Sequence, residues 1–185
     1  MSKGNAEKKA DTDGVKVWDL KTRKQINIPQ QPFNERSQVS CVCWVTRRNE
    51  TMNALCYGNG LGFLVFLQHR ASEVSKLVTM PLHPHNNVEP RVQGRFEALY
   101  SARLARGGEI ICITANISGR NTVQIATGTH DKCVQVWLFD SSTHELKAVH
   151  SKAYGDNKGI MPKALAFDAN EDWDLYIFGL YDGGL

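Results

Sequence analysis

Short runs of alternating apolar and polar residues are the main feature of this sequence. Residues 15–20 alternate with a period of two after the turn pair Asp13-Gly14, and residues 133–138 alternate in the same way after the polar turn of residues 130–132. Alternation of this kind predicts strands that bury one face and follow tight turns.

Further strands are predicted where apolar runs of strand length lie between turn signals rich in Gly, Asn, Ser and Pro. These runs are residues 24–28, 39–45, 54–57, 63–67, 96–104, 109–115, 122–127, 146–150, 163–167 and 175–180. Every predicted element is a strand, so the sequence predicts an all-β fold.

Two segments lack this pattern. Residues 1–13 are polar and charged, which is typical of a disordered tail. Residues 68–95 contain Pro81, Pro84 and Pro90 and show no clean period, which indicates an inserted loop. We therefore divide the chain into a tail and one structured segment, residues 14–185, that the loop interrupts.

Composition and charge narrow the class of protein. Hydrophobic residues make up 42% of the chain, enough for a sizeable core. The net charge of +3 is small and its cations are scattered, so we expect no nucleic acid as a partner. The absence of a long apolar run and of a signal-like N-terminus predicts that the chain has no membrane partner.

The five cysteines form an odd number without CxxC spacing, which predicts free thiols in a reducing compartment and an intracellular protein, cytoplasmic or nuclear. The histidines His69, His83 and His85 lack the spacing of a zinc site, so we expect no metal and no cofactor. No nucleophile elbow, HExxH helix or phosphate loop occurs, and we expect no enzymatic activity.

A repeat relates the two most similar strands. Trp18 and Trp137 each end an alternating strand, and Phe66 fills the intermediate position. The second interval exceeds the first by about the length of the predicted inserted loop. A Trp at such a position more often packs in the core, with its indole N–H on a polar partner, than it stacks on a ligand.

Three stretches resemble the WD-repeat β-propeller family, whose units are about 40 to 45 residues of four strands. They are Val15-Lys16-Val17-Trp18-Asp19-Leu20, residues 126–137, and Gly179-Leu180-Tyr181-Asp182-Gly183. The resemblance implies blades of four-stranded antiparallel sheets. It also implies a structural network of turn and Trp residues, formed here by Asp131, Trp137, Trp18 and Thr127.

The chain departs from the family pattern in several places. Asp131 and Trp137 have the family's spacing, but Asp13 is one residue too close to Trp18 and Gly60 stands where the middle repeat should carry Asp. No Gly-His pair precedes any repeat. The hydrogen-bond network of the family is therefore expected to be partial. We also expect the turn carboxylate of Asp131 to accept backbone N–H bonds.

The predicted strands amount to the third and fourth strands of one blade, two complete blades, and the first two strands of another. This is about three blades, whereas closed propellers have about four to eight. The ring is then incomplete or is completed by oligomerisation: either flanking blades extend it, which we favour, or a second copy closes it.

The resemblance implies a non-catalytic scaffold that binds other proteins or peptides. Binding is expected on the face that carries the turns between second and third strands and the loops joining blades, with Arg106, His130 and Lys132 as contact residues. One alternative is a propeller-fold hydrolase, which lacks converging carboxylates here. The other is a nucleic-acid-binding module, whose only support is scattered arginines.

Overall fold

The computed structural model describes residues 14–47, 50–70, 95–104, 108–153, 160–168 and 175–181. Within these ranges the chain forms twelve β-strands, a 3₁₀ turn at Phe33–Glu35 and no α-helix. The strands are β1 (Val17–Asp19), β2 (Lys24–Ile26), β3 (Val39–Arg47), β4 (Glu50–Asn59), β5 (Phe63–Arg70), β6 (Arg95–Arg103), β7 (Ile110–Ile117), β8 (Thr122–Thr129), β9 (Cys133–Asp140), β10 (Glu145–Ala153), β11 (Ile160–Phe167) and β12 (Leu175–Tyr181).

The strands form four antiparallel sheets in chain order. Sheet 1 contains β1 and β2, sheet 2 contains β3 to β6, sheet 3 contains β7 to β10, and sheet 4 contains β11 and β12. Each strand pairs with the next one in sequence, so each sheet is a simple meander. The prediction of an all-β fold with four-stranded antiparallel sheets is confirmed, and the described strands close no barrel.

Hydrophobic residues fill the space between each sheet and the next. Val17 and Ile26 of sheet 1 pack against Leu67 of sheet 2. Phe66 of sheet 2 and Phe139 of sheet 3 are fully buried, with ring centroids 4.3 Å apart. Burial of one such side chain contributes about 1.5 to 3 kcal/mol to the free energy of unfolding. The hydrophobic core thus consists of layers, each of which lies between two successive sheets.

Leu165 of β11 forms the third layer, where it packs against Ala126 and Val136 of sheet 3. The first strands of successive sheets also lie side by side, since β3 contacts β7 and β7 contacts β11. Sheets that pack face to face with their first strands adjacent have the arrangement of propeller blades.

Sheets 2 and 3 share a local distortion that the sequence pattern does not show. The pairing of β3 with β4 shifts just before the pair Cys41 and Gly58, and the pairing of β7 with β8 shifts just before the pair Cys112 and Gly128. A β-bulge at the same place in two sheets is a structural feature that the two sheets share rather than a local irregularity. The bulge therefore marks equivalent positions in the two sheets.

The two glycines of these pairs let successive sheets approach closely. A Cβ atom at Gly58 would lie 2.6 Å from Cβ of Ile110 in sheet 3, and one at Gly128 would lie 2.9 Å from Cγ of Pro162 in sheet 4. Both distances are shorter than two carbon atoms tolerate, so neither position has room for a side chain. In sheet 4, Gly179 of β12 pairs with Pro162, and the pairing shifts just after this pair.

The alignment of Phe66 with Trp137 is wrong by one residue. The turns before β5 and β9 match when Gly62 is aligned with Lys132. Both residues have a positive φ, 81° and 62° respectively. In both, the N–H donates to the carbonyl three residues earlier, at 3.0 Å. Counting from these residues, Leu67 takes the place of Trp137.

Both Leu67 and Trp137 face the preceding sheet, whereas Phe66 faces the following one. Because strand side chains alternate between faces, a slip of one residue exchanges them. The sequence comparison favoured Phe66 because it is aromatic, but the side of the sheet decides which position is equivalent.

The predicted insertion also needs new boundaries. Gln68 and Arg70 belong to β5, and Arg95 begins β6, with Arg70 paired to Arg95 across the sheet. Residues 71–94 lie outside the described residues, as do residues 1–13, where we predicted a tail. Glu50, which lies outside the predicted strands, pairs with Arg47 and begins β4.

Candidate partner-binding face

The turns between second and third strands are tied to the segments that precede the first strands. In sheet 2 the N–H of Gly60 donates to the carbonyl of Gln38 at 3.0 Å, and in sheet 3 the N–H of His130 donates to the carbonyl of Glu109 at 2.9 Å. The same bond thus fixes turn and linker side by side in two consecutive sheets. We call this surface, residues 29–38, 59–62, 108–109 and 129–132, the turn-and-linker face.

The turn between β8 and β9 is held from beneath by Thr129. Its side chain is fully buried, and its hydroxyl contacts Oδ1 of Asp131 and lies 3.1 Å from the carbonyl oxygen of Cys133. A hydroxyl has one proton, so it donates to one of these acceptors at a time. Asp131 and His130 are exposed, and Lys132 is half-buried.

The hydrogen bond of Asp131 differs from the one that we expected. We predicted that its carboxylate accepts backbone N–H bonds, but the bond that the structure gives it comes from the hydroxyl of Thr129. Lys132 completes the turn in a left-handed conformation, which ordinarily favours Gly or Asn. This conformation could not be predicted from the residue type, because Lys is uncommon at such a position.

Trp137 and Thr127 lie together on neighbouring strands of sheet 3. The indole Nε1 of Trp137 donates to Oγ1 of Thr127 at 3.0 Å, and both side chains are buried. Asp131 does not join this pair, since its bond goes to Thr129. Sheet 3 therefore contains two separate contacts, one between Trp137 and Thr127 and one between Asp131 and Thr129.

Trp18 has different surroundings from Trp137. It lies on β1, and 56% of its surface is exposed. The face of β1 that packs against sheet 2 carries Val17, and side chains alternate along a strand, so Trp18 points away from sheet 2. Trp18 thus takes no part in a buried network within the described residues, contrary to the prediction.

Asn59 is a residue that sequence reasoning missed. It is fully buried, its Nδ2 donates to the carbonyl of Glu35 at 2.9 Å, and its Oδ1 accepts from the N–H groups of Leu61 and Phe63, each at 3.0 Å. Asn59 therefore anchors the turn of sheet 2 as Thr129 anchors that of sheet 3. The Asn-Gly signal predicted the hairpin, but the bond to Glu35 depends on a linker whose position is set by tertiary packing.

The structure describes two of the three predicted contact residues. The structure brings His130 and Lys132 together on one turn of the turn-and-linker face. Arg106 lies outside the described residues, as do Asp13 and Asp182.

A cavity opens at the edge of the face, beside sheet 1. It has a volume of about 440 Å³ and lies between the β1–β2 hairpin and the linker from Pro29 to Gln38. Tyr57 contributes to its wall. Burial raises the pKa of Tyr57 to about 12, and the nearby carboxylate of Glu35 adds to the rise. The phenol therefore stays protonated at neutral pH and remains a hydrogen-bond donor.

The thiols at the sheet junctions are poor nucleophiles. Burial raises the pKa of Cys41 to about 12 and that of Cys112 to about 11, and it raises the pKa of Cys56 well above its ordinary value. Since the thiolate is the reactive form, these groups are inert at neutral pH. Their contribution is to packing between sheets.

The described residues hold no group of three or more His, Cys, Asp or Glu side chains arranged to bind a metal ion. Nor does the part of the chain that the structure describes include a helix that could cross a membrane. A scan against protein-family models and a search of curated proteins find no match for this chain. The turn-and-linker face and the cavity beside it are therefore the features from which a function can be inferred.

Proposed function

We propose that the chain is a non-catalytic interaction scaffold of WD-repeat type, which binds other proteins or peptides on its turn-and-linker face. The observation that carries this proposal is the repeated bond between turn and linker, Gly60 to Gln38 and His130 to Glu109. Because of this bond, sheets 2 and 3 each carry a loop that is fixed in position, and both loops lie on the turn-and-linker face. Binding residues commonly lie on loops that a rigid scaffold holds in this way.

The bond from Trp137 to Thr127 supports the assignment to WD-type blades, because it joins the third strand to the second within one sheet. The high pKa values of the buried thiols support a role without thiol chemistry. The free cysteines of sheets 2 and 3 support a location in the reducing interior of the cell.

The exposed Trp18 supports the proposal that further strands complete the outer sheets. Its counterpart Trp137 is covered by sheet 2, whereas nothing in the described residues covers Trp18. We favour flanking sheets of a longer propeller over a second copy. A mass measurement in solution together with melting at several protein concentrations tests this choice: a dimer whose melting temperature rises with concentration would favour the second copy.

Charge reversal on the face tests the scaffold role. We expect Lys132→Glu and Arg106→Glu to reduce the recovery of protein partners from a cell extract, because they change the charge of the proposed contact surface. Lys147→Glu is the matched control, since Lys147 is exposed on β10, away from the turn.

Unfolding curves of all three variants should match that of the parent chain, so that a loss of partners reports on contact rather than on folding. Equal recovery with the face variants and with the control would contradict the proposal.

A further inference from the structure

The cavity beside sheet 1 has the size of a ligand site. Its volume of about 440 Å³ falls within the range of roughly 300 to 1,000 Å³ that is usual for ligand pockets. One wall is the linker that belongs to the turn-and-linker face, and the other is the β1–β2 hairpin. A ligand bound here would therefore lie at the edge of the proposed partner-binding face.

The lining is cationic and rich in amide donors. Arg36 supplies the cationic side chain of the lining. Lys16 also lines the cavity, but its side chain alternates with Val15 and Val17 and points away from sheet 2, and no acidic residue is among the lining residues in the described part of the chain. Carboxamides make up much of the remainder, namely Gln25, Asn27, Gln30, Gln31 and Gln38. This set of groups favours a negatively charged ligand with several hydrogen-bond acceptors.

The linker places an unused donor next to a guanidinium. Nε2 of Gln31 is buried and has no acceptor among the described residues. Nε of Arg36 donates to the carbonyl of Gln31 at 2.8 Å, and Nη2 of Arg36 lies 3.2 Å from Oε1 of Gln30. These bonds hold Arg36 beside Gln31, and neither of them uses Nη1 of the guanidinium.

Buried amide donors normally have partners, so the state of Gln31 is unusual. Gln31 lines the cavity, and because the terminal torsion of a Gln side chain is broad, a rotation about it can bring Nε2 to a ligand there. A carboxylate placed there accepts from Gln31 and Arg36 together, which is a stronger arrangement than either bond alone.

The geometry points to a site for an acidic peptide segment, whose Asp or Glu carboxylate binds between Gln31 and Arg36. This inference rests on the proposed function and names the chemistry of one partner. A peptide fits better than a small anion because carboxamides both donate and accept, as the peptide backbone does. Val15, Ile28 and Pro29 supply apolar surface for the rest of the segment.

A binding measurement with two labelled peptides tests the ligand class. One peptide alternates Glu with Ala, and the other carries Gln in place of each Glu. We expect the Glu peptide to bind about ten-fold more tightly in fluorescence polarisation, since charge-assisted bonds are roughly twice as strong as neutral ones. Equal binding of the two peptides would overturn the inference.

Succinate distinguishes a peptide from a free carboxylate. If succinate displaces the Glu peptide only at far higher concentration than the unlabelled peptide does, the peptide assignment stands. If it competes equally well, the site takes free carboxylates and the peptide assignment is wrong.

Variants locate the site. We expect Gln31→Met and Arg36→Gln each to weaken binding of the Glu peptide by about ten-fold. Gln31→Met keeps the shape of the side chain but removes its hydrogen-bond donor. Lys24→Gln is the control, because Lys24 is exposed on the same hairpin but does not line the cavity. Since Arg36 also holds the linker, Gln31→Met remains informative if Arg36→Gln alters folding.

Unchanged binding in Gln31→Met and in a folded Arg36→Gln would overturn the site. This result can be distinguished from failure of the scaffold proposal. If the chain does not bind the peptide but Lys132→Glu still reduces the recovery of partners, the turn-and-linker face is supported and the peptide site is not.

Discussion

Sheets 1 and 3 carry the same strand sequence pattern in different surroundings. Val15-Lys16-Val17-Trp18 corresponds to Val134-Gln135-Val136-Trp137, and in each the valines pack against the sheet that follows. The Trp then faces the sheet that precedes. Sheet 2 covers Trp137, which is 7% exposed, whereas Trp18 is 56% exposed. The neighbouring sheet, rather than the local pattern, decides whether this position is core.

The residue between the two valines extends the comparison. Gln135 is 5% exposed and its Nε2 reaches Oγ of Ser151 at 3.4 Å, and the equivalent Val65 in sheet 2 is 1% exposed. Sheet 1 has the exposed Lys16 at this place. The outer face of sheet 1 therefore carries a charged residue where the corresponding faces of sheets 2 and 3 carry Val65 and Gln135.

Replacing each Trp by Ala should give the largest contrast. We expect Trp137→Ala to lower the free energy of unfolding by about 3 to 5 kcal/mol, because it leaves a cavity against Phe66 and Phe139 and removes the bond to Thr127. Trp18→Ala should cost less than about 1 kcal/mol, since an exposed side chain leaves no cavity. Urea unfolding of both variants measures the difference.

If Trp137→Ala fails to fold, Trp137→Phe provides a milder test with the same order of effects. Equal losses at the two positions would show that Trp18 is covered in solution. The contrast between the sheets would then disappear.

The glycines at the sheet junctions should come next in size. Gly58→Ala and Gly128→Ala insert a methyl group where the nearest atom of the next sheet lies 2.6 Å (Ile110) and 2.9 Å (Pro162) away, respectively. We expect each to lower the free energy of unfolding by about 1 to 3 kcal/mol through overpacking. Thermal unfolding checks this.

Gly119→Ala is the matched control, since its new Cβ would meet Thr122 at an ordinary 3.5 Å. A loss at Gly119 equal to that at Gly128 would mean that the cost comes from the backbone rather than from the approach of the sheets.

The strands could be predicted from sequence because their signal is local. Alternation at residues 133–138 and the turn signals around Gly60 are enough to place a strand and a hairpin. The number of strands per sheet came instead from the resemblance to the WD-repeat family. The packing partners did not, because Trp18 and Trp137 are identical as sequence and differ only in which sheet lies opposite.

The candidate site was harder to predict for the same reason. His130 and Lys132 could be named from a polar turn, whereas Asn59 and the cavity lined by Gln31 and Arg36 depend on the path of the linker. That path has no period and contains three amide residues and two prolines between Ile28 and Ser37 that are compatible with many conformations. Tertiary contacts, such as the bond from Asn59 to Glu35, select one of them.

The two equivalent turns should differ in how much one side chain supports them. Asn59→Ala removes three buried hydrogen bonds, and we expect it to lower the free energy of unfolding by about 1 to 3 kcal/mol. Asp131→Ala removes one contact at an exposed position and should cost less than about 1 kcal/mol. Chemical unfolding of the two variants measures the difference.

Asn59→Asp separates the two roles of the amide, because it keeps the acceptor for Leu61 and Phe63 but loses the donor to Glu35. If Asp131→Ala costs more than Asn59→Ala, the turn of sheet 3 depends on the carboxylate as the sequence first suggested.

The smallest effect concerns pH and the junction between sheets 2 and 3, where Cys41 packs. Burial raises the pKa of Cys41 from an ordinary value of 9.0 to about 12. Below pH 9 the thiol is neutral in both the folded and the unfolded chain, so its contribution to stability is constant. Between pH 9 and 12 the unfolded chain releases this proton and the folded chain keeps it, so the free energy of unfolding falls as the pH rises.

Urea unfolding between pH 7 and 11 should therefore show a fall at the alkaline end, and Cys41→Ala should make that fall less steep. Part of it should remain, because Cys112 and Tyr57 have raised pKa values and act in the same direction. Ser40→Ala is the control: its hydroxyl bonds across the same junction to the carbonyl of Ile110 but does not titrate in this range. An alkaline slope that is the same in Cys41→Ala and the parent chain would mean that the thiol is not shielded by sheet 3, and that this junction is as open to water as the outer face of sheet 1.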